Sequence, residues 1–194
     1  MSMRLAALAC ALILAIAGCN QGSATPFTGV DVTGSSIGGE MRLADVDGKP
    51  RSLADFRNRV VLVIFGYTHC PDVCPTSLAS AAEAMKALGD EANQVQVLFV
   101  TVDPKRDTPQ VLRQYVPAFD PRFVALTGDD AAIKQVLQDF KVYASARDEK
   151  NGQYTVDHSG QMYALDRAGK ARLMFPPNIA SAAMASDLRV LLRS

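Results

Sequence analysis

Phe65-Gly66-Tyr67-Thr68-His69-Cys70-Pro71-Asp72-Val73-Cys74-Pro75-Thr76-Ser77-Leu78 joins two different hydrophobic patterns. Before it runs Val60 to Phe65, short, apolar and rich in β-branched residues, which reads as a buried strand. After it, Ser77 to Leu88 places Leu78, Ala81, Ala82, Met85 and Leu88 on one helical face, with Gly89 as a stop. The cysteines therefore belong to a strand-to-helix turn. Pro75 lacks an N–H and fits only a first helical turn, which predicts Cys74 at or just before the helix start. Unpaired amides and the positive end of the helix dipole favour negative charge there. A thiolate is negative, and it is the form that attacks disulfides and binds metal. Residues four apart at a helical start share a face, so two activated sulfurs are expected at one point. They could close a disulfide or bind one ion. The plain alternative is two small buried apolar side chains; flanking prolines at a helix start weigh against it. The pair alone does not separate redox chemistry from metal binding.

Acidic and basic side chains are equal in number, 20 each, and the formal charge is +0. The signs alternate along the chain. There is no basic stripe for nucleic acid and no acidic tail. Of the four cysteines, Cys10 and Cys19 belong to the N-terminal segment and only Cys70 and Cys74 to the globular part, so they form no disulfide framework. A mature chain of roughly 175 residues buries about two-thirds of its unfolded surface without one.

Arg4 precedes an uninterrupted apolar run from Leu5 to Ile16, then Ala17, Gly18 and Cys19. The run is too short for an ordinary spanning helix and reads as a secretory signal over 1–18. Ile16-Ala17-Gly18-Cys19 resembles a bacterial lipobox, with isoleucine where leucine is commoner. The resemblance implies cleavage before Cys19 and lipid attachment to it. One acyl chain holds a protein marginally and several hold it firmly. The anchored chain is expected in the bacterial envelope on the periplasmic side of a membrane, where dithiols can oxidise. Residues 19–36, rich in Gly, Ser and Thr, read as a flexible tether with an r.m.s. span of roughly 20–25 Å. Residues 37–194 form the domain.

Within the domain, Gly39 to Asp45 reads as a strand and Asp47-Gly48 as a turn. Arg51 to Phe56 returns as a strand or short turn. Val95 to Val102 is a second apolar strand. Thr108-Pro109 is an N-cap and first helical residue, opening a helix to about Tyr115. Phe123 to Leu126 is a short strand, and Asp129 or Asp130 caps a helix to about Phe140. Val142 to Ala144 and Tyr154 to Val156 could pair. Gln161 to Asp166 and Ala171 to Phe175 flank a hairpin signal at 167–170, and Ile179 to Leu192 is an amphipathic helix. Alternating strands and helices imply parallel pairing. The order is that of thioredoxin with insertions: an α/β fold, a central mixed sheet flanked by helices. Sites in such sheets lie at the carboxyl ends of the strands, where Cys70 and Cys74 fall.

His69 abuts Cys70 and reads as an exposed loop residue. His158 precedes the hairpin strand, where thioredoxin-like folds carry a proline that faces the cysteines. A lone histidine is ordinarily a hydrogen-bonded loop residue, but this topology brings His158 to the sulfurs. Tyr67 to Pro75, Thr101-Val102-Asp103-Pro104-Lys105-Arg106-Asp107-Thr108-Pro109 and Asp157-His158-Ser159 occur in one order. At these residues the chain resembles the Sco/SenC family, over roughly Gly38 to the C-terminus. The resemblance implies copper, Cu(I) or Cu(II), held by Cys70, Cys74 and His158. It also implies a role in assembling the binuclear copper centre of cytochrome c oxidase, with the copper-accepting oxidase subunit as partner. Other copper carriers or thiol–disulfide reductases are further candidate partners. Many relatives carry a transmembrane helix where this chain has the lipobox.

Two soft thiolates and an imidazole suit Cu(I), and Cu(II) stands near the top of the divalent affinity order. Zinc also accepts two Cys and one His. Asp157 is a candidate partner for the His158 ring. Asp72 is a candidate weak Cu(II) ligand, although a helix cap fits it better. Asp103 and Asp107 read as a strand end and a capping turn. Met85, Met162 and Met174 read as core before they read as Cu(I) ligands. Two functions therefore compete: a copper-binding assembly protein, and a reductase keeping the oxidase copper-site cysteines reduced. A thiol peroxidase fits the paired cysteines less well. Whether the chain is an enzyme at all depends on which of these holds.

Overall fold

The computed structural model describes residues 27–148 and 153–194. The expected signal segment, Cys19 and residues 20–26 of the tether lie outside the described residues. In chain order the elements begin with β1 (Val30–Asp31), β2 (Leu43–Asp45), β3 (Pro50–Arg51), β4 (Val60–Gly66) and α1 (Val73–Leu88). Next come β5 (Val95–Thr101), α2 (Pro109–Tyr115), β6 (Val124–Thr127) and α3 (Asp130–Asp139). The chain closes with β7 (Ala144–Asp148), β8 (Tyr154–His158), β9 (Met162–Leu165), β10 (Ala171–Phe175) and α4 (Ser181–Leu192).

β4 and β5 are buried along their whole length and pair in parallel, Val60 opposite Val95 and Gly66 opposite Thr101. Burial on both faces is why their sequences are continuous apolar runs rather than alternating ones. Val60, Leu62 and Ile64 face Leu78, Ala81 and Met85 of α1, Leu112 of α2, and Met184 and Leu188 of α4. Val61, Val63 and Phe65 face the other way, toward Ile133 and Val136 of α3, Phe140 and Val156. Each such side chain removed from water contributes roughly 1.5–3 kcal/mol.

The eight-stranded sheet has the order β1-β10-β9-β4-β5-β6-β2-β3. β4, β5 and β6 are parallel; β9, β10 and β1 on one side and β2 and β3 on the other are antiparallel. This is the thioredoxin-like arrangement the sequence predicts, extended at both edges. β7 and β8 form a separate two-stranded sheet, with Ala144 opposite His158 and Asp148 opposite Tyr154. No described helix is long and apolar enough to cross a membrane.

Two expectations are corrected. The tether does not extend to Ser36: Val30 and Asp31 pair with Met174 and Leu173, making β1 the edge strand. The cause is tertiary. The buried Asp187 carboxylate of α4 accepts the amides of Thr28 and Gly29, at 3.0 and 2.7 Å. The helix after the cysteines begins at Val73, so Cys74 lies inside its first turn rather than at its edge. Pro75 is then its third residue, where a missing N–H costs little.

Candidate metal centre

The site is built where β4 ends and α1 begins. A Cβ on Gly66 would lie 2.8 Å from Cys74 Sγ and 3.0 Å from Phe99 Cε2, so this strand end must be glycine for the sulfur to fit. Tyr67 O accepts the Cys70 amide in the turn that follows. Thr68 is tied down by Asp107, whose buried carboxylate accepts the Thr68 amide at 3.1 Å, the Thr68 hydroxyl at 2.6 Å and the Thr101 hydroxyl at 2.7 Å. Burial pushes the Asp107 carboxyl up from its ordinary value against the pull of these bonds. Asp107 therefore does more than end a turn: it fixes the loop that carries Cys70. The cap of α2 is Thr108, whose side chain accepts the Val111 amide, with Pro109 next, as the sequence predicts.

The Cys74 amide, free at the helix start, points at Cys70 Sγ at 3.5 Å. A helix-start amide thus faces the Cys70 sulfur. Cys74 is 1% exposed; burial pushes its thiol well up, followed by the bond with Cys70. The expectation of two activated sulfurs is corrected here to one half-buried sulfur on an amide and one sealed behind it. A bound cation reverses the second, because a coordinating thiol is deprotonated outright.

His158 ends β8. Its Nδ1 lies 2.9 Å from the Ser159 carbonyl oxygen. A carbonyl only accepts, so Nδ1 carries the hydrogen and Nε2 the lone pair. Nε2 faces Cys74 Sγ at 3.2 Å. Burial holds the imidazole below its usual pKa, which favours the neutral, ligating form. The Cys70, Cys74 and His158 donor atoms all lie within 4.8 Å of one another. Among the described residues they are the group of His, Cys, Asp and Glu that could hold a metal ion. Both cysteines are free thiols.

Other candidates stand elsewhere. Asp157 is exposed, and its carboxylate lies 3.6 Å from Arg147; the backbone carbonyl of Ser159 orients the His158 ring instead. Asp72 occupies the N-cap position of α1 without a side-chain cap bond; its carbonyl accepts from Thr76. His69 is exposed. Met85 and Met162 are core, and Met174 is half-buried against the same sheet. A cleft of about 1180 Å³, lined by Thr33–Glu40, Arg42 and the turn at Ala168–Arg172, lies away from the cysteines and His158 and takes no part in this chemistry. Sequence reasoning did not single out Gly66 or Arg106. Gly66 is needed for the sulfur across from it, and the part Arg106 plays appears only when two loops meet.

A thioredoxin-like sheet with two thiols at its strand-to-helix turn and an imidazole before the hairpin defines a dithiol protein with a potential metal centre. The SCO1/SenC family profile matches residues 31–193, and the chain belongs to that family. An SCO2-like protein of Rickettsia prowazekii is 40% identical over 136 residues, covering 69% of this chain and 66% of the relative. The mitochondrial SCO2 homolog of Bos taurus is 43% identical over 134 residues, 68% of this chain and 50% of its own length. The chain thus spans between half and two-thirds of these relatives. Among solved structures, ScoI of Bradyrhizobium japonicum with copper bound aligns with a TM-score of 0.75 at 40% identity, covering 80% of this chain and 99% of that one.

Proposed function

We propose that the chain binds copper through Cys70 Sγ, Cys74 Sγ and His158 Nε2 and passes it to the copper-accepting subunit of cytochrome c oxidase as its binuclear centre is assembled. The observation that carries this is the convergence of the three donors within 4.8 Å. The donor types agree: two thiolates and an imidazole suit Cu(I) and, with an open position, Cu(II). The copper-bound state of the Bradyrhizobium relative supports the same assignment. Ligation expels protons from the thiols, Cys74 above all, so uptake is coupled to proton release. Lipid on Cys19 would hold the domain beside the membrane on the periplasmic side, near a membrane-embedded acceptor.

A second reading has its own observation. Cys70 Sγ receives the Cys74 amide, and both thiols are free. Attack by Cys70 on a partner's disulfide, followed by attack of Cys74 on the mixed disulfide, would reduce the partner and leave Cys70–Cys74 oxidised. Reduction of the acceptor's cysteines can precede copper delivery in one sequence.

Copper and zinc titrations of the full chain and of Cys74→Ser test the proposal. Copper should bind in equal amount to the protein, displace zinc, and be held far more weakly by the variant. Copper retained equally by Cys74→Ser, or displaced by equimolar zinc, contradicts it.

A further inference from the structure

Each half of the site is held by one of two adjacent residues. Asp107 holds the Cys70 loop, as described. Arg106 reaches the other way, to the sheet that ends in His158. Its guanidinium carbon sits 3.7 Å from the centroid of the Tyr154 ring and 5.6 Å from that of Tyr67. Its Nη1 donates to the Tyr154 carbonyl at 2.7 Å, and its Nε donates to the Asp103 carboxylate. The other Asp103 oxygen accepts the Tyr154 hydroxyl at 2.8 Å. Tyr67 continues the stack: its hydroxyl accepts the Val156 amide at 3.3 Å, and its ring meets the His158 ring edge-on with centroids 5.7 Å apart.

β7 and β8 are not part of the main sheet, so no ladder bond fixes where His158 falls relative to the sulfurs. We propose that Arg106 is the positioning residue for His158: clamped between Tyr67 and Tyr154, it sets β8 so that the imidazole meets the dithiol. The inference rests on the copper-site reading only for its functional consequence. Two contacts suit arginine and not lysine. A planar guanidinium stacks on an aromatic face while its edge donates two directed bonds; an ammonium is a point charge without that fork. Losing the clamp leaves both sulfurs where β4, Asp107 and α1 put them and frees only the third ligand. Two thiolates still hold Cu(I), whereas Cu(II) needs the imidazole.

The test uses the full chain with Arg106→Met, Arg106→Lys, His158→Ala and the Arg106→Met/His158→Ala pair. Removing a residue that orients a metal ligand typically lowers metal affinity about 10–100-fold, and that is the Cu(II) loss expected for Arg106→Met, with Cu(I) affinity and dithiol oxidation nearly unchanged. Arg106→Lys should fall between Arg106→Met and the wild type. In the His158→Ala background, Arg106→Met should cost nothing further, because it acts through His158. Wild-type Cu(II) binding by Arg106→Met, or the same loss with and without His158, overturns the proposal. A readout without copper keeps the clamp separate from the copper reading: amide hydrogen exchange. In Arg106→Met and Arg106→Lys the Val156 amide should exchange faster while β4 stays protected. Unchanged exchange at Val156 overturns the clamp even if the wild type binds copper. Faster exchange in a protein that binds no copper sustains the clamp and removes the copper reading.

Discussion

A hydrogen atom where other residues carry a methyl group decides whether the buried sulfur fits. At Gly66 a Cβ would press on Cys74 Sγ and Phe99, both enclosed in the core. Gly66→Ala should therefore destabilise the fold by about 1–3 kcal/mol, the usual range for overpacking. It should also move Cys74 toward solvent, so that its thiol alkylates faster than in the wild type. A urea midpoint and timed alkylation read these together; unchanged values would show that the strand end has room to spare. The cysteine pair was legible in the sequence because prolines and a change of hydrophobic period mark a strand-to-helix turn. Gly66 was not, because its neighbour across the gap is supplied by the fold. The same holds for the roles of Asp103 and Asp107. Read locally they end a strand and a turn; in three dimensions they reach Tyr154 and Thr68.

At the scale of elements, legibility follows how much of an element's stability is its own. β4, β5 and α1 were readable because continuous burial or helical periodicity is written into their residues. So was the start of α2, where Thr108-Pro109 supplies a cap and a preset φ. β1 was not. Its residues read as a linker, and it is a strand only because Asp187 on a distant helix accepts the amides ahead of it. Asp187→Ala leaves the buried Gly29 amide without a partner, a loss of about 1–3 kcal/mol. The Val32 amide, which bonds the Arg172 carbonyl at 2.9 Å, should then exchange with solvent markedly faster. Copper binding should be unaffected, since β10 and β9 stand between β1 and the strand that carries the site. Unchanged exchange at Val32 would mean that β1 pairs without the anchor. β7 lies at Ala144–Asp148 rather than Val142–Ala144, and β8 runs two residues past Val156 to His158, because the ladder that pairs them continues through residues whose polar character reads as loop.

Over the whole molecule, the sheet makes a floor and the three candidate ligands come from two segments far apart in sequence. Cys70 and Cys74 stand on the main core, and His158 arrives on the separate β7–β8 pair. This division suits the proposed copper delivery, since His158 stands on a separate strand pair from the two cysteines. It also separates the two competing functions, because dithiol chemistry needs only the first segment. The most direct measurement is electron paramagnetic resonance of the Cu(II)-loaded full chain beside His158→Ala, with thiol trapping of both after mild oxidation. Nitrogen coupling from an imidazole should appear in the wild type and vanish in the variant, with Cu(II) held far more weakly and Cys70–Cys74 oxidation retained. Equal Cu(II) binding with the same nitrogen coupling in His158→Ala would contradict the three-ligand site.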